Sequence, residues 1–229
     1  LVIGPGLEVD LPGLGDPFDL ARWAEQAGFG WLVVRDAAGV VRLGTDELPL
    51  EPMALLGGFA RRSERLPIGV LAAVPGRRPP ALVVHALSTV DRFAGGRSVL
   101  VWSPGRSPGD QDALAEALAA SRALLTQPGP VSFAGRSIRL EGAYLRPGPV
   151  RPDSIVVLVG LDDERTTELA WAPEAPVVPI RRVRPGDALP SEQGTVLYEP
   201  TGAFDAEGLG ALARIRRAVP EPPRRRAPG

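Results

Sequence analysis

Residues 79–102 read PPALVVHALSTVDRFAGGRSVLVW, and this stretch decides the fold. Pro79-Pro80 opens a helix, because a proline in the first turn removes an N–H that has no intrahelical partner anyway. Leu82, His85, Ala86, Thr89 and Val90 recur at helical spacing and predict one buried side, with His85 as a structural histidine inside it. Gly95-Gly96 ends the helix, since glycine takes the left-handed conformation of a helix C-terminus at no steric cost. Ser98–Trp102 follows as a continuous apolar run, the pattern of a strand covered on both faces. A helix that turns directly into such a strand is one β/α unit.

The same unit recurs upstream. Leu1–Val9 predicts a first strand, and Asp16-Pro17 a helix start with Asp16 as N-cap. Leu20, Ala24 and Ala27 share a face with Trp23 beside it, and Gly28 stops the helix. Trp31–Val34 is the second strand. Glu51-Pro52 opens a helix through Leu55, Leu56, Phe59 and Ala60, and Leu66–Ala73 is the third strand.

Downstream the rhythm loosens. Gln111–Leu125 is an amphipathic helix, with Leu114, Ala117, Leu118, Ser121, Leu124 and Leu125 on one side. Residues 130–141 predict a hairpin around Ala134-Gly135. Ile155–Val159 is a fifth strand, Glu164–Trp171 a short helix, Val177–Ile180 and Thr195–Glu199 further strands, and Ala206–Val219 a last helix. Strand–helix alternation of about thirty residues per unit means a parallel sheet, either a barrel or an open doubly wound sheet. Residues 1–219 read as one domain and 220–229 as a disordered Pro- and Arg-rich tail.

Composition narrows the chemistry. The 229 residues carry a formal net charge of -1, with 44% hydrophobic and 23% charged residues, which suggests neither a nucleic-acid nor a membrane partner. There is no Cys, so thiolate nucleophiles, disulfides and iron–sulfur clusters are excluded. Lysine is also absent, which removes Walker-type phosphate loops and Schiff-base chemistry. The single His leaves no histidine-cluster metal site. What remains is carboxylate, Arg, Ser or Tyr chemistry, or a cofactor that carries the reaction itself. No apolar run is long enough to span a bilayer and no secretory signal is visible, so a cytoplasmic protein is expected.

Four segments in order resemble the luciferase-like monooxygenase family. They are FDLARWAEQAGFGWLVVRD at 18–36, LEPMALLGGFARRSERLPIGV at 50–70, the opening stretch at 79–102, and PVSFAGRSIRLEGAYLRPGPVRP at 130–152. The third contains Ser88–Arg97, similar to the family's TLD-x-x-S-G-G-R core; the fourth is similar to its Gly-Arg hairpin and Pro-rich connection. The resemblance selects the barrel: a TIM-type (β/α)8 barrel, incomplete or irregular in its C-terminal units, where the chain has room for about one unit after strand six. It implies FMN or a deazaflavin coenzyme at the C-terminal mouth of the strands, and a dimer through the early helices, either with itself or with a homologue.

On that resemblance Ala72, Ala73, Trp102, Ser103, Gly105, Gly160, Leu161 and Asp162 would contact the cofactor, with Asp36 as the catalytic candidate. Asp36 reads equally well as a partner of nearby loop backbone. Ala37 stands where the family often has a His after that Asp. Trp102 replaces a small residue and is expected to fill part of the pocket. Gly160 begins the turn that would hold a phosphate, but Asp162, Asp163 and Glu164 would repel one where an anion otherwise gains about 0.3–1 kcal/mol. Asp162 or Asp163 as the cap of the next helix is the simpler reading.

Asp91 and Arg97 flank the glycine turn as a structural ion pair or helix cap. Glu141 and Tyr144 fall in the segment after the hairpin, within reach of the mouth, with Tyr144 expected to pack on the barrel top. Arg224–Arg226 reads as a solvated tail.

Two functions follow from the resemblance. One is a flavin- or deazaflavin-dependent oxidoreductase or monooxygenase acting on a small organic molecule. The other is a catalytically inactive homologue that serves as a partner subunit or ligand-binding barrel.

Overall fold

The computed structural model describes residues 2–3, 7–10, 16, 18–36, 51–74, 78–104, 109–162, 175–184, 187, 197–200 and 202–205. In chain order its elements are β1 (Val2–Ile3), β2 (Leu7–Asp10), α1 (Asp19–Ala27), β3 (Leu32–Asp36), α2 (Pro52–Arg62), β4 (Ile68–Val74), α3 (Pro80–Phe93) and β5 (Ser98–Pro104). Then come α4 (Asp110–Thr126), β6 (Val131–Ala134), β7 (Arg139–Ala143), β8 (Ile155–Asp162), β9 (Val177–Val183), β10 (Leu197–Pro200) and β11 (Gly202–Asp205).

Seven strands form one sheet in the order β1-β3-β4-β5-β8-β9-β10, and every pairing in it is parallel. The predicted first strand is in fact two: β1 joins the large sheet, whereas β2 pairs in parallel with β11. The β2–β11 ladder ties the continuation of the first strand to the continuation of the last. This is the incomplete (β/α) barrel, with seven strand positions among the described residues.

Two apolar layers sit on the two faces of the sheet. The inner one is built only by strand residues and Trp31: Val33, Leu71, Val99, Val101, Leu158, Val178 and Ile180. The outer one joins the alternate strand residues, among them Leu32, Val34, Ile68, Val70, Leu100 and Val159, to the helices. Each fully buried aliphatic side chain there is worth about 1.5–3 kcal/mol. Val156 shares the inner face by alternation yet is 45% exposed. Strand β9 meets β8 only from Val159 onward, so the lower half of β8 lacks a neighbour on that side among the described residues.

The helices follow the predicted punctuation with local corrections. Helix α1 begins at Asp19; Asp16 stands one turn earlier, where its Oδ1 accepts from Phe18 N at 2.9 Å. Gly28, at φ 89°, is the left-handed stop. Glu51 caps α2 by accepting from Ala54 N at 2.8 Å. On α3 the predicted face is buried at Val90 but not at Leu82 or His85. Val83, Val84, Leu87, Ser88, Val90 and Asp91 are buried, while Leu82 is 56% exposed and His85 faces solvent. This helix is apolar on more than one side, so periodicity alone misplaced the stripe. His85 Nε2 donates to the Arg146 carbonyl at 2.7 Å and holds the connection to β8.

The predicted Asp91–Arg97 pair is also absent. Asp91 Oδ2 accepts from Val150 N at 2.8 Å and from Ser154 Oγ at 2.5 Å. Arg97 donates to the carbonyls of Leu66, at 2.8 Å, and Ser63, at 3.4 Å. Each residue staples a different connection to the strand beginnings. The predicted helices at 164–171 and 206–219, and the tail at 220–229 with Arg224–Arg226, lie outside the described residues.

Candidate functional site

Barrel chemistry belongs at the C-terminal strand ends, so the question is which side chains point inward there. Side chains alternate along a strand. Counting from Val33, Leu71, Val101 and Leu158 of the inner layer, Arg35, Ala73, Ser103 and Gly160 share the inner face near the mouth. Ala72, Trp102 and Leu161 belong to the outer layer, toward the helices. The sequence-selected set is therefore split between the two faces. Asp162 closes β8, and its side chain, like Gly105, Asp163 and Glu164, lies outside the described residues.

Trp102 is 1% exposed and lies under α4, where its Nε1 donates to Ser121 Oγ at 3.1 Å. Its bulk is accommodated in the helix layer and does not fill the barrel interior. Gly160 is tightly packed: a Cβ would come within 2.7 Å of Ile180 Cδ1 and 2.8 Å of Val101 Cγ1. Strand packing alone thus accounts for glycine at this position.

Asp36 projects with Leu32 and Val34 to the helix side and is 4% exposed. Arg78 Nε donates to both of its oxygens, at 3.2 and 3.0 Å. Arg78 Nη2 also donates to Glu51, whose other oxygen caps α2. Asp36, Arg78 and Glu51 form one chain of charge that joins the end of β3, the start of α2 and the approach to α3. Arg78 and the inward Arg35 are absent from the sequence-selected set; a hydrophobic pattern gives no sign of which arginines reach the strand ends.

The hairpin β6–β7 is the third component. The Glu116 carboxylate on α4 accepts from the backbone N–H groups of Arg136, Ser137 and Ile138 at 2.7, 2.8 and 2.9 Å. A Cβ on Gly135 would come within 2.3 Å of Glu116 Oε2, so glycine is what lets the hairpin tip approach. Burial pushes the Glu116 carboxyl up, but the three N–H donors and the Arg136 charge outweigh it and leave the pKa lowered. A lowered folded-state value means the clasp is fully present above the unfolded value of 4.5 and is lost as pH falls through the folded value. Glu116→Gln should therefore lower Tm more at neutral pH than in acid below 4.5, where the carboxylate becomes protonated. An equal drop at both pH values would show that the carboxylate charge is not what holds the hairpin.

Glu141 and Tyr144 do not reach the mouth. Glu141 is 82% exposed beside Arg139, and Tyr144 is 48% exposed, with its hydroxyl accepting from Arg146 Nη2 at 2.7 Å. Beneath the hairpin tip lies a cavity of about 470 Å³, bounded by the ends of β4 and β5, the starts of α3 and α4, and residues 137–140.

The model of the luciferase-like monooxygenase family matches residues 4–187, and the chain belongs to that family. Solved structures share the fold. An F420-dependent secondary alcohol dehydrogenase, in complex with an F420–acetone adduct, is 19% identical with a TM-score of 0.59, over 79% of this chain and 58% of that one. The oxygenating constituent of 3,6-diketocamphane monooxygenase from Pseudomonas putida, in complex with FMN, is 16% identical with a TM-score of 0.55, over 79% and 58%. A monooxygenase from Streptomyces bottropensis is 18% identical with a TM-score of 0.56, over 72% and 52%. This chain spans little more than half the length of each. No curated protein matches.

Proposed function

We propose that the chain is a flavin- or deazaflavin-dependent oxidoreductase or monooxygenase that acts on a small organic molecule at the mouth of its barrel. The family match over residues 4–187 carries this reading. The residues at the mouth fit such a group. Ala73 and Ser103 are small and inward, which leaves room for a flat ring. When bound, the cofactor would supply hydride or oxygen chemistry. The chain's own residues would bind and orient it and exclude water. Asp36 is then a positioning residue: its pairing with Arg78 and Glu51 fixes the ends of β3 and α2.

The test is a thermal shift. FMN or F420 at about 100 times its Kd adds about 2.7 kcal/mol and should raise Tm by about 5–10 °C. Ser103→Trp, placed on the inner face, should abolish the shift while far-UV circular dichroism stays native. No shift with either cofactor would overturn this reading.

One observation favours a second reading, that of a non-catalytic homologue acting as a partner subunit or ligand-binding barrel. The carboxylate that sequence places at the mouth, Asp36, is turned to the helix side and engaged by Arg78. The early helices are then the proposed contact, with itself or with a homologue, supported by exposed Leu82 and Phe93 on α3. No described helix is long and apolar enough to cross a membrane. A cytoplasmic setting, with no nucleic-acid or membrane partner, completes the proposal.

A further inference from the structure

The cleft beneath the hairpin tip adjoins the barrel mouth, because Ala73 of the inner face also lines it. One site can therefore extend from the mouth into the cleft. The walls away from the mouth are apolar, with Val74, Trp102, Ile138 and Leu140. Arg78 and Arg139 stand among them, and no Asp or Glu among the described residues lines the cleft. At about 470 Å³ it has the size of a small-molecule pocket.

The arginines decide the ligand's chemistry. A guanidinium only donates hydrogen bonds, and it keeps its charge at any working pH. Asp36 and Glu51 hold Arg78 in place, and a guanidinium has more N–H groups than these bonds use. Arg139 stands 3.5 Å from Glu141, but the two side chains are 75% and 82% exposed, and a pair so open to water holds weakly. Helix α3 starts beside the cleft at Pro79 and Pro80, with no side-chain cap and no acidic residue in its first turn. The positive end of its dipole adds to the preference for an anion. The acidic residues in the first turn of α4, Asp110 and Asp112, do not line the cleft.

We infer that the substrate is a carboxylate with an apolar body. The body lies on Trp102 and the aliphatic walls, where buried apolar area is rewarded. Arg78 and Arg139 take the charged end. This inference rests on the flavin or deazaflavin reading and names the substrate class of that site.

The probes are 2-naphthoate and its neutral counterpart 2-naphthamide, titrated by calorimetry at neutral pH. Naphthoate should bind at least about tenfold more tightly than naphthamide, because its hydrogen bonds to arginine are charge-assisted. Arg139→Gln, an exposed substitution, should weaken naphthoate about fivefold and leave naphthamide unchanged. Arg78→Lys keeps a cation beside Asp36 but loses the planar fork, and should weaken naphthoate by a similar factor with native circular dichroism. Naphthoate should still bind once FMN or F420 is bound, as a substrate must. Equal affinities for the two probes overturn the inference, as do two folded variants that both bind naphthoate like the original chain. Displacement of naphthoate by FMN or F420 also overturns it, because the cleft then belongs to the cofactor; riboflavin failing to displace where FMN succeeds would assign it to the phosphate. A thermal shift with either cofactor alongside equal probe affinities removes this inference and leaves the oxidoreductase reading standing. Absence of any cofactor shift removes both.

Discussion

Trp102→Ala should lower the stability of the chain by about 3–5 kcal/mol, the range for truncating a large buried aromatic. Trp102 is the largest fully buried side chain among the described residues. Its removal deletes contacts with the outer layer and strands the Ser121 hydroxyl, to which its Nε1 donates. For a chain of this length that corresponds to a fall in Tm of about 6–20 °C. The substitution separates two views of the residue. A side chain lining only a cofactor pocket would alter cofactor binding and leave the cofactor-free Tm nearly intact. A Tm change under about 2 °C in cofactor-free protein would contradict the placement of Trp102 beneath α4.

The second large effect concerns a glycine. Gly69→Ala should prevent folding, while Gly57→Ala should be neutral or stabilising by up to about 1 kcal/mol. At Gly69 a Cβ would come within 2.0 Å of the Val99 carbonyl oxygen and 2.7 Å of its carbon. These are backbone atoms of the neighbouring strand, paired in register, so relief requires β4 and β5 to separate. At Gly57, inside α2, nothing stands within 4 Å and the helix gains from alanine. Soluble yield, circular dichroism and thermal melts of the two variants provide the comparison. A folded Gly69→Ala protein with an unchanged Tm would refute the close β4–β5 approach.

The sequence alone determined the order of elements. Continuous apolar runs such as Ser98–Trp102, with Gly28 and Gly95-Gly96 as stops, mark strands and helix ends by local chemistry, so β3, β4, β5, β8, α2 and α4 fall within a few residues of expectation. The four ordered segments identified the family. Only the tertiary structure decided which way the side chains face. A strand apolar on both sides carries no alternating signal, so Trp102 and Ala73 looked equivalent until the two layers separated them. On α3 the same ambiguity put His85 inside when it lies outside. Contacts between distant positions were equally illegible: Asp36 meets Arg78 across 42 residues, and Asp91 meets Ser154 across 63. Periodicity is a property of neighbours in the chain. Register and the packing of layers are properties of residues that only folding brings together.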